Sequence, residues 1–164
     1  MNRTNRRIGL CACVCLGAAL IPACNNPKAV RGMAAPVQES VRAMADSIAG
    51  DLSARGPAAW LHYFNRSPQF FMASDGKLVF PNNDSADAFV QRFATQVKKI
   101  RLTWTGVRVD SLRPDLALMA AEFQEVFTNA DGSPLSVSGY FSGLAEATPS
   151  GWRLRDAHWS IAGR

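Results

Sequence analysis

The sequence predicts an α+β domain, with helices first and an antiparallel sheet last, and three observations lead there. Apolar residues recur at helical spacing between residues 37 and 52 and again between 86 and 97. An Asp-Gly pair, Asp75-Gly76, stands between two short apolar runs. The last third consists of long β-rich runs separated by Asn, Asp, Gly and Pro. Helices followed by a hairpin-linked meander place the helices together on one face of an antiparallel sheet.

The elements follow in order. Val37, Val41, Met44, Ile48 and Leu52 form one apolar stripe at the period of a helix. Pro36 suits the first turn of that helix, and Gly56-Pro57 stops it. Residues 58–65 make a short second helix, interrupted by Ser67-Pro68. Residues 69–80 read as a hairpin about Asp75-Gly76. Pro81-Asn82-Asn83-Asp84 breaks the chain and offers N-caps for a third helix over 85–99. Ala86, Phe89, Val90, Phe93 and Val97 share one face of it. Four strands complete the chain, at 101–110, 115–128, 135–147 and 152–162. The fourth changes phase: Trp152 and Leu154 share one parity, Trp159 and Ile161 the other. Either a bulge lies near Asp156-Ala157, or the two faces are covered in different places.

The amino terminus is a different kind of segment. Arg3, Arg6 and Arg7 precede an uncharged apolar run over residues 8–23, and small residues lead into Cys24. That order is a secretory signal, and the run is shorter than the roughly 20 residues a membrane-spanning helix needs. The competing reading is an uncut N-terminal anchor. Of the four cysteines, Cys11, Cys13 and Cys15 fall inside the signal. A mature chain starting at Cys24 has no internal disulfide and no cysteine-based metal site. Removing the three arginines lowers the formal charge from +5 to +2. With no basic run, nothing supports nucleic-acid binding. Residues 25–36 mix Asn, Pro, Gly and Ala without apolar period and read as a flexible tether. The expected organisation is a signal at 1–23, a modified cysteine and tether at 24–36, and a domain at 37–164.

Two resemblances sharpen this. Leu20-Ile21-Pro22-Ala23-Cys24 resembles the lipobox of bacterial lipoproteins, which implies cleavage before Cys24 and a diacylglycerol on its sulfur. The protein would then be exported and membrane-anchored. Asn25, where a retention signal carries Asp, is compatible with the periplasmic side of an outer membrane. Residues 37–162 resemble the nuclear-transport-factor-2-like, or cystatin-like, superfamily, and within it the SnoaL-like, polyketide-cyclase-like branch. The resemblance is carried by the first helix, Trp60–Phe64, the Asp75-Gly76 hairpin, the Phe89–Val97 helix and the terminal meander. Its most specific part is Gly151-Trp152-Arg153-Leu154 followed by Ala157-His158-Trp159-Ser160. It implies a cone-shaped curved sheet of about four long strands plus a short hairpin. Three helices would pack on one face around an apolar cavity. Isomerases, cyclases, dehydratases and non-catalytic binders all use that fold, so function must be read from side chains.

The candidate catalytic residues are Tyr63, Glu122 and His158. Tyr63 is either a donor to a developing oxyanion or a wall residue whose hydroxyl reaches solvent. Glu122 is outward if Phe123 faces the helices, and an acid or base if the sheet bends it inward. His158 is a base near neutral pH or a structural ring. Trp60, Tyr63, Phe64, Phe71, Trp104, Tyr140 and His158 are the candidates to line the cavity. With two histidines and no metal-ligand spacing, neither metal nor cofactor is expected.

Three functions remain in play. The first is a lipid-anchored envelope module that binds a small apolar ligand without catalysis. The second is an isomerase, cyclase or dehydratase acting on a small apolar carbonyl or polyketide-like substrate. The third is a homodimer built through the outer sheet face. The lipobox reading has a direct check. Cys24→Ser should block processing by the lipoprotein peptidase and abolish detergent-phase partitioning, followed by immunoblot. Normal processing and partitioning of that variant would contradict it.

Overall fold

The computed structural model describes residues 27–163. The signal at 1–23, Cys24 and the start of the tether lie outside the described residues. Helix α1 spans Pro27–Arg55. It therefore begins ten residues before Val37, and Pro36 lies within it rather than in its first turn. Residues 27–36, expected as tether, are helical. Their composition lacks an apolar stripe and includes Pro36, which works against helix, while Ala29, Ala34 and Ala35 favour it. The expected stripe is buried: Val41, Ile48 and Leu52 are wholly inaccessible, with Val37 and Met44 nearly so. Gly56 ends α1 in the left-handed region at φ 76°, its N–H donating to the Leu52 carbonyl at 2.9 Å.

A 3-10 turn at Pro57–Ala59 leads into a single helical turn, α2, at Trp60–Tyr63. Strands β1 (Phe71–Ser74) and β2 (Lys77–Phe80) form the expected hairpin. Asp75 and Gly76 both have positive φ, 47° and 78°, the mark of a tight primed turn. Helix α3 runs from Asn83 to Gln96 behind a capping box: the Asn82 side chain accepts from the Ser85 N–H at 2.9 Å, and Ser85 reaches back.

Strands β3 (Val97–Arg113), β4 (Leu116–Asn129), β5 (Pro134–Thr148) and β6 (Gly151–Ile161) form the meander. The sheet has six strands in the order β2-β1-β6-β5-β4-β3. One feature differs from the expected antiparallel sheet. Strand β1 joins it alongside β6, and the pair is parallel. The intervening α3 and three long strands supply the crossover a parallel pair needs. Asp75 locks the junction, accepting from the Ile161 N–H at 2.9 Å.

The phase change in the last strand is a bulge. Leu144 pairs with Asp156 and Ala145 with Leu154, so Arg155 has no partner across the ladder. Leu154 on one side of it and Ala157 on the other are both buried. The core lies between the inner sheet face and α1, with Met119 and Leu154 among its most enclosed side chains. The Trp104 indole N–H donates to the Ala45 carbonyl at 3.1 Å and pins α1 to β3.

Candidate functional site

Strand β4 carries the site. Ala117, Met119, Ala121, Phe123 and Phe127 alternate into the core. Glu125 has the same parity, so its carboxyl points inward as well. It helps line a cavity of about 200 Å³. The other walls are aromatic and aliphatic. Trp60 and Phe64 come from the α2 region, Phe89, Val90 and Phe93 from α3, Leu102 and Trp104 from β3, and Leu154 and Trp159 from β6. Met72, Phe80, Phe123 and Phe141 close it. The rings pack on one another, with Trp104 and Phe141 at 5.3 Å, Phe80 and Phe89 at 5.1 Å, and Phe93 and Phe127 at 5.5 Å between centroids. Phe89 is both a wall residue and 45% exposed, so the α3 side of the wall is also molecular surface.

Glu125 is the one ionisable side chain among the lining residues. Burial alone pushes its carboxyl from the ordinary 4.5 up to about 7. No neighbouring charge or hydrogen bond contributes to that shift. The group is thus poised between acid and carboxylate near neutral pH. A lone acid–base group of this kind can exchange a proton with a ligand. It has no second carboxyl, hydroxyl, amide or basic side chain beside it in the lining. The indole N–H of Trp104, which could otherwise donate into the cavity, is held by Ala45.

The candidate catalytic residues do not converge. Tyr63 is buried, but its hydroxyl donates to Asp51 of α1 at 2.5 Å, and it is not part of the cavity wall. Burial, and then the bond to Asp51, push Tyr63 up to about 12. The same bond, helped by Arg55, holds Asp51 below the usual carboxylate range. Glu122 is exposed on the outer face, between Thr105 and Tyr140. His158 is exposed too, with Ser142 on one side and Ala73 on the other. The bulge at Arg155 is the reason: it turns His158 outward and brings Trp159 in.

Of the candidate wall residues, Trp60, Phe64 and Trp104 line the cavity. Tyr63, Phe71, Tyr140 and His158 do not. Phe71 is 45% exposed because its neighbours Phe70 and Met72 take the inward positions. Tyr140 is 44% exposed, opposite in parity to the buried Phe141. The residue missed in the sequence is Glu125, although the series Ala121, Phe123, Glu125, Phe127 carries its signal. Among the described residues no group of three or more His, Cys, Asp or Glu side chains is placed to hold a metal ion.

A curved sheet wrapped with helices around an aromatic cavity defines a class of small α+β pocket proteins. Within that class, residues 41–163 match the SnoaL-like domain family, and the chain belongs to it. No curated protein matches the sequence. Solved structures share the fold at low identity. A nuclear-transport-factor-2-like superfamily protein from Salmonella enterica aligns at 14% identity and a TM-score of 0.62, over 82% of this chain and 94% of that one. A protein with a cystatin-like fold from Caulobacter vibrioides aligns at 15% identity and a TM-score of 0.58, over 76% and 89%. A type 2 hexachlorocyclohexane dehydrochlorinase aligns at 7% identity and a TM-score of 0.59, over 83% and 87%.

The burial of Glu125 has a consequence for stability. Its folded pKa lies above its unfolded one, so the folded state favours the protonated form. The contribution is fully present below about pH 4.5 and is lost as pH rises through about 7. Glu125→Gln should remove that loss, giving up to about 3 kcal/mol over wild type at pH 8 and little at pH 4. Urea unfolding at the two pH values checks it, and an equal effect at both would contradict it.

Proposed function

We propose that this domain is a binding module for a small apolar, ring-sized ligand, held at a membrane by lipid on Cys24 and facing the cell envelope. The observation that carries the proposal is the cavity itself. It is lined by aromatic and aliphatic side chains and holds a single ionisable group. Fixed rings that leave a void of this size lose mutual contacts, and a ligand restores them. An apolar cavity of about 150 Å³ already binds benzene, so about 200 Å³ suits one ring with a short substituent. The absence of an acid–base partner for Glu125 in the lining favours binding over turnover. The envelope assignment rests on the signal and lipobox pattern of residues 3–24.

A second reading has one observation in its favour. A carboxyl near pKa 7 in an aromatic site suits proton abstraction. The fold likeness to a hexachlorocyclohexane dehydrochlorinase supports this reading. Loss of activity in Glu125→Gln, after turnover of a halogenated or β-hydroxy carbonyl compound by the wild type, would move the assignment there.

Trp60, Trp104 and Trp159 make the cavity its own reporter. Titration with toluene should change tryptophan emission saturably. Val90→Trp, which fills the cavity from α3, should abolish the response while leaving the unfolding transition cooperative. No saturable change in the wild type would contradict the binding reading.

A further inference from the structure

We propose that the ligand of this cavity is a small aromatic amine, its ammonium paired with Glu125 and its ring held among the tryptophans and phenylalanines. The inference rests on the reading of the cavity as a ligand site and goes beyond it by naming the chemistry of the ligand. Four observations carry it. First, the cavity offers one ionisable group and that group is an acid; the lining supplies no cation for a carboxylate or phosphate ligand to meet. Second, no protein group neutralises Glu125. Its neighbours across the ladders are Leu102 and Val137, and α3 presents Phe89, Val90 and Phe93 to the cavity. From α2, β1, β2, β5 and β6 the facing residues are Trp60, Phe64, Met72, Phe80, Phe141, Leu154 and Trp159, none of them titratable. A buried carboxylate left unpaired is costly, and an incoming ammonium supplies the missing partner. Third, three indoles and six benzyl rings surround the same space. Their faces attract a cation while their bulk takes an apolar body. Fourth, the volume suits a ring with a two-carbon arm.

The burial shift on Glu125 agrees with this. In the empty cavity the carboxyl holds a proton to about pH 7, and an ammonium would displace it. Binding of the amine should therefore release a proton near neutral pH and weaken as the pH falls toward 5. The two histidines do not confuse that readout at the cavity, since His62 and His158 are both exposed and outside the lining.

The test is calorimetry on the full chain in detergent at pH 7.5, with three probes that share a phenyl ring on a short arm: 2-phenylethylamine, propylbenzene and 3-phenylpropionate. The amine should bind about tenfold or more tighter than propylbenzene, as a hydrogen bond to a charged group allows. Phenylpropionate should bind most weakly of the three. Glu125→Gln should keep propylbenzene affinity and lose the preference for the amine. If that variant fails to bind propylbenzene, the wild type at pH 5 takes its place, and the preference should shrink there. Equal affinity for amine and propylbenzene in the wild type would overturn the amine inference and leave the cavity reading standing. No binding of any probe to a cooperatively folding wild type would overturn both.

Discussion

A single unpaired residue, Arg155, sets the geometry on which the pocket depends. Without it β6 would keep one phase, and either Leu154 or Trp159 would have to face solvent. With it, Leu154, Ala157, Trp159 and Ile161 all turn toward the core, and the sheet curves. The residues around the bulge also fasten the rest of the molecule. The Leu154 carbonyl accepts from the Asn65 N–H at 2.8 Å, which seats the segment after α2. Asn65 in turn donates to Glu146 at 2.8 Å, and Arg155 lies 3.8 Å from the same carboxylate. Phe71–Ser74 and Asp156–Trp159 form the parallel seam that attaches the hairpin. The wall residues contributed by β6, β1 and α2 thus share one point of reference.

Strong periodic signals were legible in the sequence because they reflect burial directly. The stripe from Val37 to Leu52 is the buried face of α1, Asp75-Gly76 is a primed turn, and the four terminal runs are the four long strands. The phase conflict in β6 announced the bulge, but its position decides the fate of His158. Placed at Arg155, it puts His158 outside with Ser160; no local preference fixes that position, since register depends on β5. The seam between β1 and β6 was invisible for a similar reason, as it joins segments some eighty residues apart. The start of α1 is not legible in the sequence because Pro36 favours a first turn and costs about 3 kcal/mol in a helix interior, yet α1 runs through it.

Glu125 shows a different limit. Glu122 and Glu125 stand in one strand, and charged residues are rarely buried, so composition alone does not separate them. Parity alone separates them: Glu122 follows the exposed Gln124, and Glu125 follows Phe123 and Phe127. A carboxylate placed at a core position is a local conflict with the packing around it. Such conflicts mark function more often than they mark stability. Tyr63, by contrast, resolved its polarity structurally, through Asp51, and has no hydroxyl left for the cavity.

The pocket's chemistry depends on the Glu125 carboxyl being partly buried and unpaired among the aromatic rings. Carbon-detected NMR of the side-chain carboxyl, titrated from pH 3 to pH 9 in the absence of ligand, measures this directly. Assigned by comparison with Glu125→Gln, the signal should titrate near pH 7. A midpoint at the ordinary 4.5 would mean that water or a charged partner reaches the group, and the cavity would not be the site described above.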